Sequence, residues 1–448
     1  MTQLREMDVD VVEERILAPI ARFGPAFILS VAVLGALVLL GVYAYIIQFR
    51  YGLGVTGLNR PVFWGVYITN FVFFIGISHA GTLISAILRL IHAEWRRPFT
   101  RAAEALTVFS LPFGAASILV DMGRPDRIFN VIKYARLQSP ILWDVICITT
   151  YLISSCIFFY VCLIPDIAIC RDKFQSKGFR KWLYTKLAWG WQGRELEQKR
   201  LDKIIAFFAV FLTCLVVTVH TVVSWIFGMT IQPGWHSTII GPYFLIGAIF
   251  SGVATVVIVA TILRKLFKLE DFIKPVHYDN LGKFLLAFTL LWFYCTLAEY
   301  LTAFYGQEVS HMAVFNAKFF GKFSSAFWLM IVLCFVVPLS ILMRKKTRTV
   351  AGLVIASISI NIGMWLERFL VIVPSLTHPR LPYPQGTYYP TWIEWSITLA
   401  SFSGLILLYL IFAKLFPVIS IWEMKEGKVK VIAEVTQRLK SYEPEVSI

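Results

Sequence analysis

The sequence predicts an all-α integral membrane protein with about ten transmembrane helices. Apolar residues make up 58% of its 448 positions and charged residues 15%, with a mean hydropathy of +0.71. Soluble domains carry roughly 45–50% apolar and about 25% charged residues, so this chain is too poor in charge to cover an aqueous surface. The apolar residues form long runs rather than short alternating segments, which is the pattern of spanning helices and not of a β-barrel. Short loops rich in Lys and Arg separate the runs.

Ten spans are expected near 25–47, 63–90, 102–121, 141–167, 203–227, 242–263, 281–304, 324–343, 350–373 and 393–416. Each can cross a hydrocarbon core of about 30 Å at about 1.5 Å per residue. The chain then divides into a tail (1–24), a first span with its outer loop (25–60) and a four-helix unit of spans two to five (61–227). A second unit of spans six to nine (228–373) follows, then an outer loop with the tenth span (374–416) and a second tail (417–448). Ile84-Ser-Ala-Ile-Leu-Arg89 ends span two and Val259-Ala-Thr-Ile-Leu-Arg264 ends span six. That likeness suggests two parallel units; chance similarity between apolar helices is the rival explanation.

Loop charge sets the expected orientation. Residues 168–200 hold nine Lys and Arg, and 343–349 reads Met-Arg-Lys-Lys-Thr-Arg-Thr, whereas 228–241 holds none and 374–392 only Arg380. The positive-inside rule therefore places both termini in the cytoplasm. The loop 122–140 breaks the bias with Arg124, Arg127, Lys133 and Arg136 on the outer side, so it has another reason to be basic. The first tail carries Glu6, Asp8, Asp10, Glu13 and Glu14 and no cleavage pattern, so the first run is expected to stay as an anchor. The net charge of +15 belongs to these loops and to lipid headgroups; no basic, aromatic-interleaved surface speaks for nucleic acid. Seven cysteines without a C-x-x-C spacing indicate neither a cluster nor a disulfide framework.

Helix ends are punctuated by Ser139-Pro140, an N-cap followed by proline, and by Thr391-Trp-Ile-Glu394, a capping box that gives Glu394 a structural role. Trp235, Tyr243, Tyr383, Tyr388, Tyr389 and Trp392 crowd the outer loops, as expected at a membrane interface.

Ionisable residues inside spans default to function because hydrocarbon penalises them by several kcal/mol. His79 lies mid-span among Gly76, Ser78, Ala80 and Gly81, whose small size lets another helix approach. It is either a histidine bonded across helices or a proton acceptor or quinone-oxygen ligand. Asp121 and Arg124 end span three and share a face if the helix persists, although Gly123 and Pro125 favour termination. Asp144, Glu299 and Glu367-Arg368 fall toward the same outer side, which predicts a polar cavity reached from outside. Glu104 lies near the inner start of span three. Among the histidines only His79 and His220 fall within spans, which excludes two bis-histidine haems but not one. Nucleotide loops, zinc signatures and nucleophile elbows are missing, so any electrons must leave through something this chain does not carry.

Four stretches are distinctive: Ser78-His79-Ala-Gly-Thr-Leu-Ile, Leu119-Val-Asp121-Met-Gly-Arg124-Pro, Pro384-Gln-Gly-Thr-Tyr-Tyr-Pro-Thr-Trp-Ile-Glu-Trp395 and Phe416-Pro-Val-Ile-Ser-Ile-Trp422-Glu. By these the chain resembles the NrfD/polysulfide reductase membrane-subunit family, and within it the ActC branch that serves alternative complex III. The resemblance implies a subunit of a quinol:electron-acceptor oxidoreductase in the bacterial inner membrane, not catalytically complete alone. It implies a menaquinol site near the outer face with His79 and Asp121 contacting the quinol, and Arg124, Asp144 and Glu299 as pocket residues. An external iron–sulfur subunit, with cytochrome c and other membrane subunits, is the implied partner set; no haem, cluster or metal is held by this chain. Proton translocation is a further implication, with Glu104, Glu367 and Arg368 as candidate path residues. Quinol oxidation releases two protons and two electrons, so a base beside the quinol oxygens is required on either argument. The rival readings are a quinone-reducing anchor of a molybdopterin polysulfide-type reductase, a secondary transporter, and a purely structural anchor. The transporter would need Gly/Pro-broken helices in matching positions of both units.

Overall fold

The computed structural model describes residues 13, 15–18, 20, 24–173, 178–381 and 384–427. Glu6, Asp8, Asp10, Glu14, Tyr383 and the chain beyond residue 427 lie outside the described residues. So do most of the tails whose cytoplasmic placement the loop charges predict.

All ten expected spans are helices. They are α1 (Pro25–Tyr51), α2 (Val66–Leu90), α3 (Glu94–Asp121), α4 (Pro140–Lys173), α6 (Glu195–Gly228), α7 (Ile240–Leu266), α8 (Pro275–Gly306), α10 (Ser324–Leu342), α11 (Val350–Thr377) and α12 (Trp392–Leu415). Among the shorter helices between them are α5 (Phe179–Leu187) and α9 (Val309–Phe319). Their boundaries follow local chemistry. Proline opens α1, α4 and α8, where its missing N–H is no loss. Thr349 Oγ1 accepts from Gly352 N at 3.1 Å to open α11. Glu394 returns to Thr391 N at 2.9 Å to open α12, as the capping-box spacing predicts. The same carboxylate accepts from Gly57 N at 2.7 Å and from Tyr388 OH at 2.5 Å. Glu394 is a structural tie.

Helices α2, α3, α4 and α6 pack in a closed ring, and α7, α8, α10 and α11 form a second ring. These are the two expected four-helix units. They meet where α2 packs on α7 and α11, and α6 on α7, while α1 and α12 pair and α12 lies against α2 and α3. Burial ranks the helices accordingly: 94% of the apolar window of α2 is enclosed against 6% for α1. The central crossing is made by small residues. A Cβ on Gly252 of α7 would stand 3.1 Å from the Ala80 amide nitrogen, and one on Gly76 would stand 3.5 Å from Ala248 Cα. Such contacts let backbones approach where no hydrophobic force draws helices together.

Two helices change pitch. Thr82–Ile87 in α2 and Val332–Val336 in α10 are π-helical, a feature frequent at functional sites. They fall in the first helix of one unit and the third of the other, so they are not the matched breaks a transporter repeat would need. The end carrying α5 and residues 417–427 is here termed the tail face, and the end carrying α9 the distal face.

Candidate functional site: a buried polar track through both units

His79 is fully buried. Its ring lies 4.3 Å, edge-on, from that of His220 on α6 and 5.4 Å from Tyr151 on α4. Ser78 Oγ lies 3.3 Å from His79 Nδ1. His79 Nε2 and both His220 nitrogens have no partner. Rings in such contact leave no room between them for an iron and its macrocycle, so this pair cannot flank a haem as it stands. Around them Thr107 Oγ1 donates to Ser78 O, Tyr151 OH donates to the same carbonyl at 3.2 Å, and Thr82 Oγ1 lies 3.0 Å from Tyr151 OH. Gly81 is required here, because a Cβ would overlap Thr107 Oγ1.

Toward the tail face, Gly81, Thr82, Glu104, Thr107 and Ser155 line a small cavity, with about 10 Å³ open to water centres. That is room for about one water. Beyond it, Glu104 accepts from Ser85 Oγ at 2.5 Å and lies 3.2 Å from Arg101 Nη1. Arg101 reaches Asp166 at 2.7 Å, and Asp166 accepts from the amides of Ile421 and Trp422 at 3.1 and 3.2 Å. Glu423, also buried, takes Arg96 at 3.1 Å and Arg89 at 3.6 Å. The post-α12 segment is thus drawn over the end of the first unit by charge.

Toward the distal face the track enters the second unit. Arg368 donates to Phe244 O at 3.3 Å, lies 4.7 Å over the Phe244 ring, and stands 3.2 Å from Glu367. Gly247 leaves it space, since a Cβ there would come within 2.7 Å of Arg368 Nη2. Its charge acts on both histidines. Glu367 faces Tyr243 and Tyr300. Beyond them is a cleft whose walls include Tyr243, Glu299, Tyr300, His311 and Lys318, with about 40 Å³ open to water centres. Lys318 Nζ lies 3.4 Å from Tyr300 OH. One oxygen of Glu299 is buried without a partner.

The expected residues therefore separate into three places. His79 and Glu104 belong to the first unit's interior, and Glu299, Glu367 and Arg368 to the second unit. Asp121 instead joins a distal group with Gln48, Tyr67 and Glu394: Gln48 Nε2 donates to Val120 O at 2.9 Å and Tyr67 OH to Gln48 Oε1 at 2.6 Å, and Asp121 acts electrostatically on Tyr67. Tyr67 precedes His79 by twelve residues on one helix, so His79 and Asp121 stand about 18 Å apart along the axis. They do not form one contact pair. Asp121 does not share a face with Arg124 either. The helix ends at Asp121, Gly123 takes φ +63, and the exposed Arg124 pairs with Asp126 at 2.9–3.0 Å. Asp144 is buried in the second turn of α4 with one oxygen unpartnered. Neither it nor Asp121 lines the Glu299 cleft. The single cavity expected from residues of four spans is, in the structure, a cleft in the second unit plus separate acids in the first.

Sequence reasoning misses His220 as the partner of His79, and also Arg101, Asp166 and Lys318. Asp166 has a signal, a lone carboxylate near the end of an apolar run. Lys318 has none, since it sits on a short helix indistinguishable from a loop.

This is a multi-pass helical membrane protein with a titratable track buried inside its bundles. The family model for polysulphide reductase, NrfD, matches residues 54–379, and the chain belongs to that family. It is similar to a selenate reductase subunit from Mesobacillus selenatarsenatis, 25% identical over 86% of this chain and 93% of that one. It is similar also to an Hdr-like menaquinol oxidoreductase integral membrane subunit from Archaeoglobus fulgidus, 23% identical over 87% and 93%. A putative dimethyl sulfoxide reductase membrane subunit from Halobacterium salinarum is 26% identical over 71% of each chain.

Proposed function

We propose that this chain is the quinol-binding membrane subunit of a bacterial respiratory oxidoreductase of the alternative complex III type. Its distal face is then the outer face and its tail face cytoplasmic. Menaquinol is oxidised near the outer side, its two electrons pass to an iron–sulfur subunit docked there, and its two protons leave through side chains of this chain. The observation that carries this reading is the distal cleft. It is about four times roomier than the space beside Glu104, and its walls include both Lys318 and Glu299, which has one buried oxygen without a partner. As it stands the cleft takes about three waters, so a hydroquinone ring enters as its aromatic walls part, with Lys318 then donating to one oxygen and Glu299 taking a proton from the other. A menaquinol oxidoreductase subunit among the similar chains supports the choice of quinol.

In this reading His79 acts as a relay rather than a quinol contact, between Glu367-Arg368 on one side and Glu104 on the other. Asp121 and Asp144, each with an unpartnered oxygen, are further proton acceptors near the outer face. Arg124 and its basic loop meet an acidic patch of the partner. In the assembled complex, Glu299→Gln and His79→Phe should each lower quinol-dependent acceptor reduction at least about tenfold, a typical general-base contribution being roughly 10²–10⁴. Wild-type turnover in both, with every partner protein present, overturns the assignment. A second reading, the membrane anchor of a molybdopterin reductase of the polysulfide type, takes support from the selenate and dimethyl sulfoxide reductase subunits. Co-purification separates the two. An iron–sulfur protein with multihaem cytochromes supports the first, and a molybdopterin protein without cytochromes the second.

A further inference from the structure

On the tail face, α5 carries a chemistry that the redox track does not use. Its sequence is Phe-Arg-Lys-Trp-Leu-Tyr-Thr-Lys-Leu. One stripe faces the protein: Tyr184 and Ala188 are buried, and Arg180, Leu183 and Leu187 are exposed to lesser degrees than the stripe opposite. That opposite stripe points away. Phe179, Trp182 and the following Trp189 are 70%, 57% and 79% exposed. Phe179, Trp182 and Lys186 are spaced three and four residues apart, which is one face of a helix, and Trp189 follows the helix end at φ +45. Phe179 and Trp182 stack with ring centroids 5.8 Å apart. Lys181 and Lys186 are exposed beside them. Neither lysine makes an ion pair among the described residues.

Two hydrogen bonds fix the depth of this face. Tyr184 OH donates to the carbonyl of Leu415, the last residue of α12, at 2.8 Å. Tyr160 OH, from α4, donates to Leu187 O at 2.8 Å. The helix is therefore tied to the end of α12 and, on α4, to a residue thirteen positions before that helix ends. A large aromatic surface at that depth meets the boundary between acyl chains and headgroups, where Trp is favoured. Cations flanking it favour negative charge there.

We propose that α5 is an interfacial helix that binds anionic phospholipid headgroups, with Phe179, Trp182 and Trp189 seated among the acyl chains and Lys181 and Lys186 on the phosphates. Charge complementarity selects an anionic lipid over a zwitterionic one. The proposal does not depend on the redox reading. It is tested on the full chain, stripped of lipid in detergent and titrated with phosphatidylglycerol or phosphatidylcholine under native mass spectrometry. Wild type should retain phosphatidylglycerol preferentially. Lys181→Gln with Lys186→Gln should lower that affinity roughly thirtyfold, the effect of two cations at an anionic surface, and leave phosphatidylcholine unchanged. Both substitutions lie on exposed positions, and a helical circular dichroism signal equal to wild type checks the fold. Equal phosphatidylglycerol retention by the double variant overturns the proposal. So does oxidative footprinting in which Trp182 and Trp189 are shielded in the lipid-free complex but open in the isolated chain, an outcome that assigns the face to a partner protein.

Discussion

Asp166→Ala removes the residue that ties three parts of the tail face together. Asp166 is fully buried and holds Arg101 at 2.7 Å through one oxygen. Its other oxygen takes the amides of Ile421 and Trp422. Breaking one side of a buried ion pair costs about 3–5 kcal/mol, mostly from the charge left behind. Arg101 keeps Glu104 at 3.2 Å, so the lower end applies, about 3 kcal/mol and more than a hundredfold in the folded-to-unfolded ratio at about 1.4 kcal/mol per decade. Arg101→Met should cost more than Asp166→Ala, because it strands two carboxylates instead of one cation. The double variant Arg101→Met, Asp166→Leu should cost less than the sum of Arg101→Met and Asp166→Leu measured singly, since apolar residues of similar volume replace a buried pair nearly neutrally. Thermal unfolding in detergent gives the energies, and limited proteolysis of 421–427 reports release of the segment. An Asp166→Ala protein with unchanged unfolding and a protected segment, or strictly additive losses in the cycle, would refute this account of the network.

Two further outcomes follow from the packing and the tail charges. Gly252→Leu should prevent close approach of α2 and α7. The first carbon already stands 3.1 Å from the Ala80 backbone, and overpacking costs about 1–3 kcal/mol; the check is a lowered melting temperature, with Gly252→Ala intermediate. Glu13 is buried, which raises its carboxyl, yet Lys173 at 2.7 Å and Lys425 together hold it below its ordinary value of 4.5. A depressed carboxyl contributes stability that is full above the unfolded value and lost as pH falls through the folded one. Protection of 421–427 from protease should therefore fall only below about pH 4.5, and Glu13→Gln should be less protected at neutral pH with no such acid step.

The helices are legible in the sequence because hydrocarbon demands long apolar runs, and ten such runs leave little choice. Helix ends are less legible. Hydropathy starts span three at residue 102, but α3 starts at Glu94, and α4 continues to Lys173 rather than stopping at 167. The added start of α3 carries Arg97 and Arg101 to the tail and to Asp166, so in the sequence the cationic half of a charged network looks like loop. Gly123 has the opposite effect: its positive φ turns Arg124 away from the acid that helical spacing would pair it with. His79 stands out for the small residues around it, and Gly76 and Gly81 do admit neighbouring helices. Its partner His220 lies 141 positions away, on a helix whose own apolar pattern gives no reason to face it. Contacts of that range follow from how two rings of helices meet, which no single segment encodes.

The same meeting decides how a proton could cross. Between the distal cleft and the tail network the side chains do not form an unbroken chain of hydrogen bonds, since His79 Nε2 and both nitrogens of His220 lack partners. A relay through them requires water, and the space for it beside Glu104 admits about one molecule. Ser155, whose hydroxyl is buried and unpartnered on that wall, is the place to remove it. Ser155→Leu should fill the cavity with carbon while leaving the distal cleft intact. If the track carries protons, the variant should bind quinol as wild type does but lose proton release linked to turnover, read with a pH-sensitive dye in liposomes containing the whole complex. Ser155→Thr, which keeps a hydroxyl, should retain most of it. Proton release unchanged in Ser155→Leu would mean that the buried histidines are held by packing alone and that protons leave directly from the distal face.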